Sequence, residues 1–259
     1  MSIQINGATT VRELVGKYPQ TRKVFEEFGI DYCCGGGKCL VEAAQESRRE
    51  LSALLVAVDD ALTAPTATSV TAERDWYTAP LHELVDHILQ VHHAYMKEAL
   101  PRVRELARKV LRVHGAHHGE MLQRVQELYR ALDDELSGHL LKEEAILFPY
   151  IVAAEAHCQG GSEKPAACFG SVSNPIQQME HEHESAGLAL VQIRKVTADY
   201  SLPEDACPTF RALYEELERM EKDLHQHIHL ENNILFPRAI AAESSLHPGF
   251  VELRTEGAA

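Results

Sequence analysis

The chain has 259 residues, 45% of them apolar and 25% charged, which is typical of a globular protein with one large domain or a domain plus a small appendage. Its formal net charge of −14 disfavours a nucleic-acid partner, because such partners select a basic face. No apolar run approaches the roughly 20 residues of a membrane span, and the N-terminal residues lack the pattern of a signal peptide. These features predict a cytoplasmic protein with no membrane partner.

The first 62 residues are predicted to form a small helical domain. Thr10 and Glu13 fit a capping box that opens a short helix, and a second helix from 20 to 28 ends at Gly29. Further helices are predicted over 40–62. Between them lies the glycine-rich stretch IDYCCGGGKC, which is unsuited to a helix.

The rest of the chain is predicted to be a linker followed by a helical bundle. Residues 63–75 are small, polar and proline-containing, as in interdomain linkers. Residues 76–245 show long helical patterns and no strand alternation, so the predicted fold class is all-α, with a four-helix bundle as its main part. The helices are expected at 81–114, 120–156, 175–200 and 208–243. The histidines at 114–118 and His157 are assigned to loops, as is His247.

An internal repeat dominates the second part of the sequence. HLLKEEAILFP at 139–149 returns as HIHLENNILFP at 227–237, an offset of 88 residues. In each copy a histidine precedes a glutamate by four residues, which places both on one helical face. His93 and His183 lie 46 and 44 residues before these pairs. Phe-Pro falls inside each predicted helix, so we expect a kink or a local helix end there.

The repeat brings six side chains to the bundle interior, and their chemistry suits two metal ions. They are His93, His139, Glu143, His183, His227 and Glu231. A single such pair would more often be a surface contact or a satisfied core histidine, but the duplicated set reverses this preference. A buried glutamate is costly unless it is paired or bound to metal. Nitrogen and carboxylate ligands without thiolates favour iron or manganese over structural zinc, and counting coordination positions leaves about two open for small molecules.

Several neighbouring histidines are left with less defined roles. From the pattern alone either His92 or His93 could face inward, and register with His183 favours His93. His181, His225 and His229 are predicted to be exposed or to support the ligands from behind. Glu135 and Glu182 are assigned either a role in proton relay or a solvated surface role.

The adjacent thiols of Cys33 and Cys34 are the second chemical feature. Neighbouring cysteines make a strained disulfide, so they are interpreted as a reversible dithiol or a handle for a soft metal. The alternative is two buried thiols in a tight turn. Cys207, directly before Pro208 at a predicted helix start, is interpreted as structural.

The doubled His-x-x-x-Glu pattern resembles hemerythrin-like di-iron domains. Together with Asp31-Tyr32-Cys33-Cys34-Gly35-Gly36, it resembles the repair-of-iron-centres family, di-iron proteins that protect or restore iron–sulfur clusters after nitrosative and oxidative stress. The resemblance covers nearly the whole chain, including Asp75-Trp76 and Pro80-Leu81. It implies that the six positions hold two iron ions with a bridging oxygen, that Glu143 and Glu231 bridge them, and that His93 rather than His92 is a ligand. Cys39, Cys158, Cys168 and the histidines at 114–118 lie outside the family pattern.

The resemblance implies several functions that the residues do not separate. The reduced di-iron centre would couple nitric oxide to nitrous oxide with an unidentified electron donor, or the protein would donate iron to damaged iron–sulfur proteins. Whether iron is catalyst or cargo stays open, and so does the choice between monomer and homodimer. The alternative is non-catalytic sensing of oxygen or redox state, against which no output domain is recognisable. Cys33 and Cys34 are expected to deliver thiols to a damaged cluster, to a partner or to the di-iron entrance.

Overall fold

The computed structural model describes residues 5–63, 74–161 and 163–246, and every regular element in these ranges is a helix. The elements are α1 (Val11–Lys17), α2 (Thr21–Phe28), α3 (Leu40–Glu46), α4 (Leu51–Thr63), α5 (Leu81–His87), π1 (Ile88–His93), α6 (Ala94–Lys142), π2 (Glu143–Leu147), α7 (Phe148–Cys158), α8 (Ser173–Val196), α9 (Pro208–Leu230), π3 (Glu231–Leu235) and α10 (Phe236–Ser245). The all-α prediction is confirmed.

The four N-terminal helices pack around a small apolar core of their own. Leu14, Phe25, Leu40 and Leu54 are fully buried in it. The predicted capping box is present, since the Thr10 side chain accepts from the Glu13 amide and the Glu13 carboxylate accepts from the Thr10 amide. The division into 1–62, 63–75 and 76–245 stays a prediction, and residues 64–73 of the linker lie outside the described residues.

The predicted loop at 114–118 is wrong in extent. α6 continues through it, and His118 alone has non-helical dihedrals (φ −123°, ψ 21°). The chain nevertheless turns back there, because the Tyr129 hydroxyl donates to the Leu100 carbonyl at 2.8 Å and Arg104 contacts Asp133 at 2.6 Å. One residue therefore joins two antiparallel rods of the bundle.

Other predicted boundaries shift by a few residues. α8 ends at Val196 rather than at position 200, because residues 198–200 adopt positive φ angles of 48° to 60°. His157 lies within α7 and not in a loop, and His247 lies outside the described residues. The four rods of the bundle are residues 81–117, 119–158, 173–196 and 208–245.

The bundle interior has two apolar clusters with a polar layer between them. One cluster contains Tyr129 and Met220, and the other contains Phe148 and Phe236. On the rod that carries His93, the two flanking buried residues Ile88 and Met96 belong to different clusters. The predicted ligand positions therefore lie where apolar packing excludes water from both sides. No helix of the described residues is long and apolar enough to cross a membrane.

Candidate metal centre

Three π-helical turns position the polar layer. π1 ends at His93, while π2 and π3 begin at Glu143 and Glu231. The amides of Phe148 and Phe236 donate to the carbonyls of these glutamates, five residues back rather than four. Such turns occur often at functional sites.

The two Phe-Pro dipeptides explain where the second and third π turns lie. Pro149 and Pro237 have no amide hydrogen, so the α-helical bond to the carbonyl four residues earlier cannot form. Each proline lies in the first turn of the helix that follows its π turn. The irregularity expected at Phe-Pro is therefore found as a wider turn, and not as a helix end.

All six predicted ligand residues are brought together and buried. One group contains His93, Glu143, His227 and Glu231, with ligand atoms within 4.8 Å of one another. A second group contains His139, His183 and the same two glutamates. Because both glutamates belong to both groups, each carboxylate lies between the two.

Each carboxylate oxygen faces the Nε2 atom of a different histidine. Glu143 Oε2 lies 3.4 Å from His93 and its Oε1 lies 3.3 Å from His139. Glu231 Oε1 lies 3.0 Å from His227 and its Oε2 lies 3.1 Å from His183. Each glutamate thus presents one oxygen to each group, which is the arrangement of a carboxylate that bridges two cations.

The donor set fits metal ions better than it fits a closed hydrogen-bond network. Both oxygens of Glu143, Oε2 of Glu231 and Nε2 of His93 are buried without a hydrogen-bond partner. The Nε2 atoms of His139 and His183 face each other at 3.0 Å. Buried polar atoms are rarely left unsatisfied, since each costs about 1–3 kcal/mol. Cations in the two groups would satisfy these atoms.

Three of the four histidines are oriented by an acceptor at Nδ1, which directs the Nε2 lone pair toward the centre. These pairs are His93 with Glu144 at 2.7 Å, His139 with Glu182 at 2.9 Å, and His183 with Asn232 at 2.8 Å. Glu182 also contacts Lys142 and is buried, so it is not the solvated residue that one interpretation assigned. The fourth ring, His227, stacks on His92 at 5.6 Å, and its Nδ1 has no hydrogen-bond partner.

Charge and burial shift the pKa values of the ligand histidines in opposite directions. Burial disfavours a charged imidazole, but the Glu143 carboxylate, with Glu231 and Glu182, outweighs this effect and raises the pKa of His139 to about 9. The pKa of His93 is also raised, by Glu143 and Glu231 against the effect of burial. At His227 burial dominates and lowers the pKa. Protons and metal ions therefore compete for the same nitrogens.

Of the adjacent pair, His93 lies in the ligand cluster and His92 does not. His92 is buried as well, but its Nδ1 bonds Asp223 at 3.1 Å. His181 is exposed and His225 is half-buried, whereas His229 is buried with its Nδ1 3.0 Å from the Asn233 side chain.

Sequence reasoning missed Glu144 and Asn232, the residues that orient His93 and His183. They are 88 residues apart, the same offset that relates the two His-x-x-x-Glu pairs. Each directly follows a ligand glutamate. The repeat therefore aligns these two positions. Because one copy has a glutamate there and the other an asparagine, the sequence alone does not identify them as equivalent.

The loop of residues 29–39 between α2 and α3, named the thiol loop for Cys33 and Cys34, packs against π3, next to the centre. Cys33 and Cys34 are free thiols with Sγ atoms 3.9 Å apart, and Cys34 is exposed while Cys33 is buried. A hydrogen bond with Cys34 and burial raise the pKa of the Cys33 thiol. Asp31 accepts from both cysteine amides at 2.9 Å, and one of its carboxylate oxygens and the two sulfurs lie within 4.8 Å of one another.

Two neighbouring asparagines of π3 connect this loop to the bundle. The Asn233 side chain donates to the carbonyls of Tyr32 and Cys33, both at 3.1 Å. The Asn232 amide nitrogen lies 4.0 Å from Cys34 Sγ, while its oxygen accepts from His183. The exposed thiol is therefore one side chain away from a histidine of the centre.

Comparison with known proteins agrees with this architecture. Residues 84–239 match the hemerythrin HHE cation binding domain, and residues 7–61 match a domain of unknown function, DUF542. The chain is 39% identical over 232 residues to the iron-sulfur cluster repair protein YtfE of Musicola paradisiaca, covering 90% of this chain and 96% of that protein. The proteins of the same name from Citrobacter koseri and Escherichia coli O157:H7 are 39% and 38% identical, each match covering 89% of this chain and 96% of the relative. The chain thus belongs to the family of the iron-sulfur cluster repair proteins YtfE, with a hemerythrin HHE domain as its main part.

Proposed function

We propose that this chain repairs iron–sulfur clusters and that the six buried residues hold two iron ions for that purpose. The observation that carries the proposal is the pairing of four carboxylate oxygens with four imidazole nitrogens in a layer closed to water. Relatives 37–39% identical to this chain are iron-sulfur cluster repair proteins, which supports repair rather than sensing.

The two groups assign a ligand set to each ion. His93 and His227 would hold one ion, His139 and His183 would hold the other, and Glu143 and Glu231 would bridge them. The absence of thiolates from both groups favours iron or manganese over structural zinc. When bound, two iron ions supply redox chemistry for reducing nitric oxide to nitrous oxide with an external electron donor. Iron that leaves the site for a damaged cluster is instead cargo.

The residues around the centre orient its ligand side chains and exclude water from it. The acceptors behind His93, His139 and His183 hold their rings, and the two apolar clusters keep bulk water away from the centre. We further propose that Cys33 and Cys34 supply thiols at the edge of the centre, to a damaged cluster or to iron in transit. The contact of their loop with π3 supports this role.

A repair assay tests the proposal. A [4Fe–4S] dehydratase inactivated by nitric oxide would be incubated without oxygen with the iron-loaded chain and a reductant. The native chain is expected to restore dehydratase activity, and Glu143→Ala/Glu231→Ala is expected to restore none. Cys33→Ser/Cys34→Ser is expected to be slower, whereas the matched control Cys158→Ser/Cys168→Ser, which removes two exposed thiols elsewhere, should match the native chain.

The same reactions distinguish catalyst from cargo. Many molecules of headspace nitrous oxide per chain indicate catalysis, while recovered activity that tracks iron lost from the chain indicates donation. Repair by the metal-free glutamate variant at the native rate would overturn the proposal.

A further inference from the structure

The sequence indicates a structural role for Cys207, but its surroundings in the fold are those of a reactive thiol. It is half-buried and immediately precedes the first residue of α9, a helix of 23 residues. Its backbone is extended (φ −77°, ψ 168°), as is usual for the residue that caps a helix start, although its side chain makes no cap hydrogen bond. Unpaired amides at a helix start stabilise a negative charge.

A buried imidazole and a carboxylate lie beside this thiol. His114 is 8% exposed, its ring lies 5.2 Å from the ring of Phe210 in the first turn of α9, and its Nε2 atom is buried without a hydrogen-bond partner. Its Nδ1 lies 3.9 Å from Asp205 Oδ2, and the other oxygen of Asp205 lies 2.8 Å from His118 Nε2. A thiol with a buried imidazole and a carboxylate nearby has the groups that activate a nucleophile.

These groups act on the ionisation of the thiol. The His114 side chain and the amides of Phe210 and Thr209 together lower the pKa of Cys207 to about 7. Near neutral pH a large fraction of the sulfur is then thiolate. A thiol whose pKa is close to the ambient pH is the best attacking group for a disulfide, because it is ionised and still strongly nucleophilic.

We propose that Cys207 is a second reactive site, which undergoes exchange with small-molecule disulfides at the end of the bundle far from the metal centre. His114 follows His93 by 21 residues, and a helix rises about 1.5 Å per residue, so the two sites are about 30 Å apart along the rod. The proposal is independent of the proposed function.

The reaction is a balanced thiol–disulfide exchange. The Cys207 thiolate attacks one sulfur of the disulfide and forms a new sulfur–sulfur bond. The original bond breaks, and the second sulfur leaves with the bonding electrons as a thiolate, which takes a proton from water. The product is a mixed disulfide on Cys207 and one free thiol, and a later thiol reverses the step.

The test measures how fast each cysteine of the full-length reduced chain reacts with glutathione disulfide at pH 6. Samples would be quenched with acid, alkylated, digested and quantified by mass spectrometry, with exposed Cys168 as an internal reference. At pH 6 the lowered pKa of Cys207 gives a larger thiolate fraction, which outweighs the lower nucleophilicity of that thiolate, so Cys207 is expected to react several-fold faster than Cys168. Reaction of Cys207 no faster than that of Cys168 would overturn the proposal.

A pair of variants separates the effect of the His114 imidazole on the Cys207 reaction rate from the effect of solvent exposure. His114→Gln is expected to slow Cys207 several-fold at pH 6 and to leave Cys168 unchanged. The matched control is His117→Gln, because His117 is exposed and on the same turn of α6. If His114→Gln, shown by circular dichroism to be folded, left the Cys207 rate unchanged, the assigned role of His114 would be wrong. The comparison within the native chain needs no variant.

Discussion

At the residue scale, the centre is built from two repeated halves, and one difference between them lies next to a ligand histidine. Glu144 orients His93 in the first half, and Asn232 orients His183 in the second. A carboxylate behind an imidazole raises the basicity of that ligand more than an amide does. The amide has a different advantage, since its nitrogen lies toward Cys34 Sγ. The second half therefore has a less basic histidine ligand, His183, but makes a contact with the thiol loop.

This difference leads to a prediction about Asn232. Asn232→Leu removes the acceptor behind His183, and losing such a partner typically lowers metal affinity about 10- to 100-fold. One of the two proposed irons should weaken by that factor, while the iron held by His93 should be unaffected. Asn232→Asp keeps an acceptor at the same place and should bind iron at least as tightly as the native chain. Competition with a coloured iron chelator measures both, and equal affinities for Asn232→Leu and the native chain would contradict the assigned role.

At the element scale, the π turns are the features that sequence periodicity could not reveal. The 88-residue repeat identified four of the six residues that the structure brings together, because duplication in sequence placed them on equivalent helical faces, while His93 and His183 came from a weaker upstream repeat and the family resemblance. Over a turn of five residues, however, a π turn and an α turn give the same pattern of buried and exposed positions. The reversal at His118 was hidden for a similar reason, since a single non-helical residue leaves no composition signal. Loop-like histidines there suggested a longer break than the chain makes.

The π turns lead to a second prediction, at Pro149. Pro149→Ala supplies the missing amide, so π2 can close into a regular α-helix and rotate Glu143 away from its position. The metal-free variant should be as stable as the native chain or more stable, because Pro149 is exposed, but its iron affinity should fall. Denaturant unfolding and iron titration measure the two effects.

The matched control for this variant is Pro101→Ala. Pro101 is also exposed, and it lies inside α6 with no π turn beside it. This variant should gain stability and keep native iron affinity. Native iron affinity in Pro149→Ala would show that the wide turn is not needed for the centre.

At the scale of the whole molecule, the N-terminal helices and the bundle are joined next to the centre. Asn233 is buried and bonds two carbonyls of the thiol loop as well as His229. Burial lowers the pKa of the His229 imidazole to about 3, so it stays neutral and pairs with the Asn233 amide near neutral pH. A Cβ atom on Gly36 would lie 2.4 Å from the Asn233 side-chain oxygen. Because the Nδ2 atom of that side chain lies within hydrogen-bond distance of three acceptors, the side chain has little freedom to move aside.

This close approach predicts the effect of a single methyl group. Gly36→Ala should lift the thiol loop from π3 and expose Cys33, which is only 5% exposed in the native chain. The alkylation rate of Cys33, mapped by mass spectrometry, should rise severalfold. Gly37→Ala is the control, since its Cβ would meet only the end of the Arg12 side chain, which can move. Equal Cys33 rates in the two variants would contradict the proposed docking.

The most direct measurement of the central claim is the number of iron ions per chain. The chain would be loaded with ferrous iron without oxygen, desalted, and assayed for iron and protein on the same sample. Two ions per native chain are expected, none in Glu143→Ala/Glu231→Ala, and two in Glu135→Ala, which removes a nearby carboxylate that bonds Ser185 instead of the centre. A native chain with no iron or with one ion, or a double variant that keeps two, would contradict the assignment of these residues to a two-iron centre.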